Sequence, residues 1–287
     1  MATVFLNGSF LPLEQACVSV LDRGFLLGDG VYEVIPAYGG RLFRLDHHLL
    51  RLAASLAGIR IPEPMATEQW RTMLAELVAR NAGADQSVYL QITRGTAAKR
   101  DHHFPDPVNP TVFAMSTPIA PPPDGLDEDG VAAITLDDIR WQHCHIKAIT
   151  LLPNVLLRQQ AVDAGAVEAI LIRDGLATEG AASNLFVVRD GTLITPPKGP
   201  TLLPGITRDL ILELADAHGI PAREVDIPQD QLHDADEVWL TSSTREILPV
   251  TRLDERPVGS GAPGPVYGTM AAHYRAYKEA VRRGEAD

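Results

Sequence analysis

The chain has little of what marks several common protein classes. Its 287 residues include two cysteines, Cys17 and Cys144. They are too few for a disulfide framework and form no Cys-x-x-Cys pair, so a cytoplasmic setting is the default. No apolar run reaches the roughly 18 residues of a membrane-spanning helix, and none is expected. The N-terminal MATVFLNGSF has no basic segment followed by an apolar stretch. It reads as a short strand, a turn at Asn7-Gly8 and a second strand, not as a signal peptide. Basic charge is scarce: 25 lysines and arginines stand against 37 acids, a net charge of -12. That excludes a binder of nucleic-acid backbones but leaves room for a small anion held by a few local arginines. Gly28-Asp29-Gly30 does not match the dinucleotide-binding glycine fingerprint, and no internal repeat is evident.

What is present describes a folded α/β protein. Hydrophobic residues make up 45% and charged residues 22% of the chain, enough for a sizeable core and too apolar for a disordered chain. At roughly 150 residues per domain, the length suggests about two domains. Segment 119–130, IAPPPDGLDEDG, combines three prolines with an acidic run. Proline stiffens the backbone and donates nothing to a sheet, so this segment is the expected linker. It separates a smaller domain, 1–120, from a larger one, 121–287. Strands are expected at 31–38 and 41–44 around Gly39-Gly40, and at 87–93, 111–116, 131–137, 167–173, 184–189 and 237–240. Helices are expected from Asp46 to about Gly58, from Thr67 past Val78, after Pro153, from Thr207 to about His218, and over 268–283. Asp46, Thr67 and Thr207 are the expected N-caps.

Four places suggest chemistry. Lys147, one of four lysines, follows RWQHCHI and precedes AITLL. A lysine in such apolar and aromatic company lowers its desolvation cost by losing its proton, and a neutral amine can form a Schiff base with an aldehyde. The plainer reading is a side chain that snorkels to solvent. In TEGAASN, 178–184, Glu179 precedes small residues that leave room for a flat ligand; a turn with a solvated glutamate reads equally well. In LLPGITRD, 202–209, Gly205 permits close backbone approach and Thr207 opens a helix whose free N–H groups suit an anion. A capped helix with no ligand has the same pattern. TSST at 241–244 again sets hydroxyls after a strand, and Arg51 adds charge to the same phosphate if the fold brings it there.

The fourth place is ITRGTAAKRDHHF, 92–104, where Arg100 and His102 share a face of an extended segment and together suit a carboxylate. A charged loop is the commoner explanation, with Arg94 merely closing the strand. His143 and His145 flank Cys144, but alternation points Cys144 away and no fourth ligand is near, so no metal site is assigned. His47 and His48 start a helix, where one can position a neighbour by hydrogen bonding.

Taken in order, these segments resemble the fold-type IV pyridoxal-phosphate enzymes, and within them the D-amino acid aminotransferases. The resemblance runs from DRGFLLGDGVYEV at 22–34 through HHLLRL at 47–52, QITRGTAAKRDHHFP at 91–105 and DIRWQHCHIK at 138–147. It continues through TEGAASNLF at 178–186 and LLPGITRD at 202–209 to TSSTREILPV at 241–250. It implies a two-domain α/β fold, pyridoxal 5′-phosphate in the crevice between the domains, and a homodimer with partner residues near the pocket. It implies Lys147 as the Schiff-base and proton-transfer lysine, Glu179 as the partner of the pyridine nitrogen, and Leu203 as the side chain packed on the cofactor ring. Arg51, Ile206 through its backbone N–H, Thr207, Ser243 and Thr244 would form the phosphate cup. Tyr32, Arg100 and His102 would trap the substrate α-carboxylate. The smaller domain would supply Tyr32, Arg51, Arg100 and His102, and the larger one Lys147, Glu179 and the rest of the cup. The implied activity is transamination of D-alanine with 2-oxoglutarate to pyruvate and D-glutamate. The implied partners are small amino acids and 2-oxo acids, with no nucleic acid, membrane or metal.

Two relatives share this core. Branched-chain aminotransferases have the lysine, glutamate and phosphate segments but lack the Arg100-Asp101-His102 pair and differ after Tyr32. Aminodeoxychorismate lyases release pyruvate from a ring substrate on the same scaffold. A non-catalytic binding protein, its motifs purely structural, is the reading from another class. The chain departs from the D-specific pattern at Pro36, where a lysine is familiar, and at Ala181 and Ala182, which replace serines. These changes bear on the substrate pocket.

Overall fold

The computed structural model describes residues 2–122 and 125–287. Pro123 and Asp124, both in the expected linker, lie outside the described residues, as does Met1. The chain divides into two compact units. One takes in the chain up to Ala120, Ile146–Thr150 and Lys278–Asp287; the other takes in Pro121–His145 and Leu151–Tyr277.

The first unit is built on six antiparallel strands: β1 (Thr3–Leu6), β2 (Ser9–Pro12), β3 (Gly30–Tyr38), β4 (Arg41–Leu42), β5 (Asp85–Thr93) and β6 (Thr111–Pro118). Their order is β2-β1-β6-β5-β3-β4. In β5 Gln86, Val88, Leu90 and Ile92 are buried while the residues between them are half-buried, the period-two pattern of a strand with one core face. Helix α1 (Arg23–Leu27) is a single turn before β3. Helices α2 (Leu45–Gly58) and α3 (Thr67–Arg80) supply the other layer. Leu45, Leu49, Leu52 and Leu56 of α2, with Trp70, Leu74 and Leu77 of α3, recur every three or four residues and pack in one core with Ile35, Val88 and Leu90.

The expected caps are one or two residues too late. Helix α2 starts after Arg44, which is left-handed at φ 51 and ends the strand expected over 41–44 at Leu42. Asp46 thus lies inside the first turn, where it pairs with Arg71 of α3. Helix α3 starts after Ala66, whose N–H donates to Gln69 Oε1 at 2.8 Å.

Segment Ile146–Thr150 joins this unit through β3. The Tyr32 N–H donates to the Lys147 carbonyl at 2.9 Å, and the Ile149 N–H to the Gly30 carbonyl at 3.1 Å. Lys147, expected in the C-terminal domain, therefore belongs to the first unit. Backbone pairing with β3 outweighs its position in the chain.

The second unit holds a ten-stranded mixed sheet. Its strands are β7 (Val131–Asp137), β8 (Glu168–Arg173), β9 (Leu176–Gly180), β10 (Asn184–Arg189), β11 (Thr192–Thr195), β12 (Ala222–Glu224), β13 (Ile227–Pro228), β14 (Glu237–Ser242), β15 (Glu246–Leu253) and β16 (Arg256–Pro257). The order is β12-β11-β10-β14-β15-β7-β8-β9-β13, with β16 beside β15. A single turn, α4 (Leu126–Asp129), precedes β7. Strands β7 and β8 are parallel and need a crossover, in which lies α5 (Leu152–Asp163). Helix α6 (Ile206–Ala217) packs near β14, and α7 (Pro265–Arg283) closes the chain. Strands β8, β10 and β14 are buried almost without a break, which is why they read as continuous apolar runs rather than alternating ones. Strand β15 is not legible in the sequence because Pro249 interrupts its apolar run. Among the described residues, no helix is long and apolar enough to cross a membrane.

Candidate active site

In the first unit, half-buried Lys147 lies beside β3. Its Nζ is 4.3 Å from the centre of the Tyr32 ring, and its N–H donates to Ser55 Oγ of α2 at 3.2 Å. The Tyr89 ring stands 5.7 Å from that of Tyr32. Burial, with Tyr32 alongside, pushes the Tyr89 phenol up to about 12.

Glu33, the next residue along β3, is fully buried and meets α2. Arg51 donates through Nε to Oε1 at 2.8 Å and through Nη2 to Oε2 at 2.7 Å, while His48 Nδ1 lies 2.7 Å from Oε2. His48, Arg51 and Ser55 recur at helical spacing and face the same way. Burial favours the neutral form of Glu33, but Arg51 and His48 outweigh it and hold the carboxyl far below its usual range. Burial also pushes the His48 imidazole down, against the pull of Glu33. The neutral ring donates from Nδ1 to the carboxylate and presents Nε2 as an acceptor. Arg51, expected in the phosphate cup, thus has its guanidinium plane set by a carboxylate that the sequence reading passed over.

Arg100 and His102 lie on the loop between β5 and β6 and are exposed. Among the described residues, neither side chain makes a hydrogen bond or ion pair. Of the expected carboxylate trap, Tyr32 stands beside Lys147. The backbone of the loop carrying Arg100 and His102 is nevertheless anchored. Arg23 Nη1 donates to the carbonyls of Asp101 at 2.5 Å and His103 at 3.2 Å. Asp29 joins Arg23 at 2.7 Å to Arg94 at 2.8 Å. The Arg94 guanidinium lies 3.7 Å from the centre of the Phe104 ring. Arg94 does more than close a strand: it is buried and ties β5 to the loop.

In the second unit, Glu179 near the end of β9 is buried and held on both oxygens. Arg140 Nη1 donates to Oε1. The Leu203 N–H, at 3.0 Å, and Asn184 Nδ2, at 3.1 Å, donate to Oε2. Asn184 Nδ2 also donates to the Leu203 carbonyl at 2.8 Å, so one amide fixes both expected cofactor neighbours. Burial pushes the Glu179 carboxyl up, and Arg140 and the Leu203 N–H oppose it without cancelling it. Burial likewise works against the charge of Arg140, but Asp138 and Glu179 hold its protonation well above the ordinary arginine level.

Ile206 and Thr207 are buried as the first two residues of α6, and Gly205 is the N-cap. Thr207 is therefore not the cap, but it lies in the first turn, whose N–H groups lack intrahelical partners. A Cβ on Gly205 would sit 1.8 Å from Asn184 Oδ1, which explains the glycine. Ser243 and Thr244 are half-buried in the turn between β14 and β15. The next residue, Arg245, donates to fully buried Glu168 at 2.6 Å. Cys144 is buried, its thiol pushed up by burial, and the His143 and His145 rings lie 5.8 Å apart. Among the described residues, no cluster of three or more His, Cys, Asp or Glu is placed to hold a metal ion.

The sequence reading missed Glu33, Ser55, Asp138, Arg140 and Asn184. Only Glu33 left a signal, as a carboxylate in the apolar run VYEVI.

Comparison with known proteins is consistent along the chain. Residues 30–253 match the family described as amino-transferase class IV. D-alanine aminotransferase of Bacillus licheniformis is 44% identical over 263 residues, covering 92% of this chain and 92% of that protein. D-alanine aminotransferase of Staphylococcus aureus (strain MW2) is 39% identical over 280 residues, 97% of this chain and 99% of that one. Among solved structures, a T.th. branched-chain amino acid aminotransferase with pyridoxamine 5′-phosphate superposes with a TM-score of 0.91 at 31% identity, covering 99% of this chain and 96% of that one.

Proposed function

The chain belongs to the class IV aminotransferase family, and on that premise we propose that it is a pyridoxal 5′-phosphate-dependent transaminase moving the amino group of D-alanine to 2-oxoglutarate. The observation that carries the reading is the Lys147 amine, held against the Tyr32 ring by a residue whose backbone is fastened on both sides. The relatives named D-alanine aminotransferase, similar over nearly the whole chain, support the substrate.

The donor set fits the cofactor. In the first unit an amine suits the aldehyde; in the second, a buried carboxylate with acceptor capacity left suits a ring nitrogen, and the N-terminus of α6, with the Thr207 hydroxyl, suits a phosphate. When bound, the cofactor supplies the aldehyde and a pyridinium ring that accepts the electrons released at Cα. Lys147 would hold it through Nζ, and its free amine would carry the proton from the substrate Cα and return it. Glu179 would keep the ring nitrogen protonated, and Leu203 would pack on the ring. Arg51, the Ile206 N–H, Thr207, Ser243 and Thr244 would hold the phosphate, with Glu33 setting the plane of Arg51. Tyr32, Arg100 and His102 hold the substrate α-carboxylate and so choose the hand of the amino acid.

The enzyme works as a cytoplasmic homodimer in this reading. Exposed apolar side chains support the dimer: Val20, Phe25 and Leu50 in the first unit, Leu152 and Val155 in the second.

The test is the absorption spectrum of cofactor-loaded protein with each amino acid and no acceptor. D-alanine should change it and release pyruvate, and L-alanine should not. The superposition on a branched-chain enzyme favours a second reading. A response to L-leucine with none to D-alanine would establish it. Pyruvate from 4-amino-4-deoxychorismate alone would point to a lyase.

A further inference from the structure

Arg140 has its donors divided between two carboxylates. Nε and Nη2 each lie 2.9 Å from an oxygen of Asp138, and Nη2 also reaches the Thr201 carbonyl at 3.3 Å. This two-point contact sets the plane of the guanidinium, and the remaining nitrogen, Nη1, meets Glu179 Oε1. On the other oxygen of Glu179, the Leu203 N–H and Asn184 Nδ2 take both acceptor positions. A carboxylate offers about four such positions. Among the described residues, the one left open by protein donors is therefore on Oε1, beside Arg140.

Charge points the same way. Asp138 is shared with Arg173, whose Nη2 lies 2.9 Å from Oδ2. Two guanidiniums against one carboxylate leave a net positive charge next to Glu179. A buried carboxyl without such a neighbour takes up a proton and turns from acceptor to donor. Lysine cannot replace this arrangement, because a point charge has no fork to divide in one plane.

We propose that Arg140, fixed by Asp138, is a positioning residue that keeps Glu179 an acceptor and aims its open Oε1 position at the nitrogen of the cofactor ring. The proposal rests on the reading of Glu179 given above. It adds Arg140 and Asp138 to the groups that govern the ring nitrogen, acting through Glu179.

The test compares equilibrium binding of pyridoxal 5′-phosphate and its 1-deaza analogue, which lacks the ring nitrogen, to the apoprotein. Wild type should prefer the natural compound, and Glu179→Gln should abolish the preference. Arg140→Met should cut the preference about tenfold, the size of one lost charge-assisted hydrogen bond, and adding it to Glu179→Gln should change the preference no further. Arg140→Lys, which keeps the charge and protects against an unfolded variant, should fail to restore it. An unchanged preference in Arg140→Met, or full preference in Arg140→Lys, overturns the role of the fork and leaves Glu179 standing. Equal wild-type affinity for both compounds, unaltered by Glu179→Gln, overturns the reading of Glu179 and the proposal with it.

Discussion

Lys147 Nζ lies 4.3 Å from the centre of the Tyr32 ring, and the same two residues are joined by the backbone bond from the Tyr32 N–H to the Lys147 carbonyl. The amine is held at both ends of its residue: the main chain by β3 and Ser55, the side chain by an aromatic face. A nucleophile so restrained has little further freedom to lose on reacting.

Lys147→Ala should therefore abolish covalent attachment of the cofactor, read as the loss of the borohydride-fixed mass increment. Turnover should fall by about two to four orders of magnitude, the usual span for a positioned proton-transfer group. Tyr32→Phe keeps the ring and should keep attachment, while raising KM for D-alanine through loss of the hydroxyl. Attachment surviving in Lys147→Ala would reassign the lysine.

Glu33→Gln should destabilise the protein by about 3–5 kcal/mol, because it breaks the buried ion pair with Arg51. Chemical denaturation measures this. Phosphate affinity of the apoprotein should drop in parallel, since the guanidinium plane is no longer set. Stability within about 0.5 kcal/mol of wild type would place the pair among energetically idle contacts.

Acid should weaken the first unit in two stages. The folded His48 has a pKa below its ordinary 6.5. As pH falls through 6.5, the unfolded chain takes up a proton that the folded one refuses, so stability is lost. The folded Glu33 lies far below its ordinary 4.5. Its contribution is intact above that value and drains away as pH falls towards the folded pKa. Urea midpoints should decline between about pH 7 and 5 and more steeply below about 4.5. His48→Gln should flatten the upper stage alone, and a flat wild-type profile there would contradict the assignment.

Gly205→Ala should cost about 1–3 kcal/mol by overpacking. The added carbon displaces Asn184 Oδ1, and Asn184 steadies both Glu179 and Leu203. Cofactor affinity should weaken with stability, measured by titration of the apoprotein. Ser243→Ala serves as the comparison and should weaken phosphate binding with little loss of stability.

Arg100→Ala should raise KM for D-alanine roughly tenfold or more, the loss of one charge-assisted bond to a carboxylate. Cofactor retention should be unchanged, because the side chain makes no hydrogen bond among the described residues. Release of cofactor by this variant would show the arginine to be misassigned.

Much of the fold is legible in local pattern. The leucine spacing of α2, the alternation of β5 and the apolar runs of β8 and β10 each depend on neighbours a few residues away. The short strands β12, β13 and β16 are not legible, because two or three residues carry no period. The caps shift for a related reason: Asp46 is a good cap by type, but left-handed Arg44 starts the helix first and Arg71 claims the carboxylate.

The sequence by itself determined which residue types are available. It holds few lysines, one of them in apolar company, and carries a glutamate before small residues, a Gly-Ile-Thr helix start, and ordered motifs that mark the family. Only the tertiary structure decided the partners. Ile146–Thr150 returns to β3, Glu33 meets His48 and Arg51, and Arg140 divides its donors between Asp138 and Glu179, 39 positions away. Periodicity reports which face of an element is buried. The charge state and direction of a buried group depend on what stands within a few ångströms of it, and that distance is set by packing between segments remote in the chain.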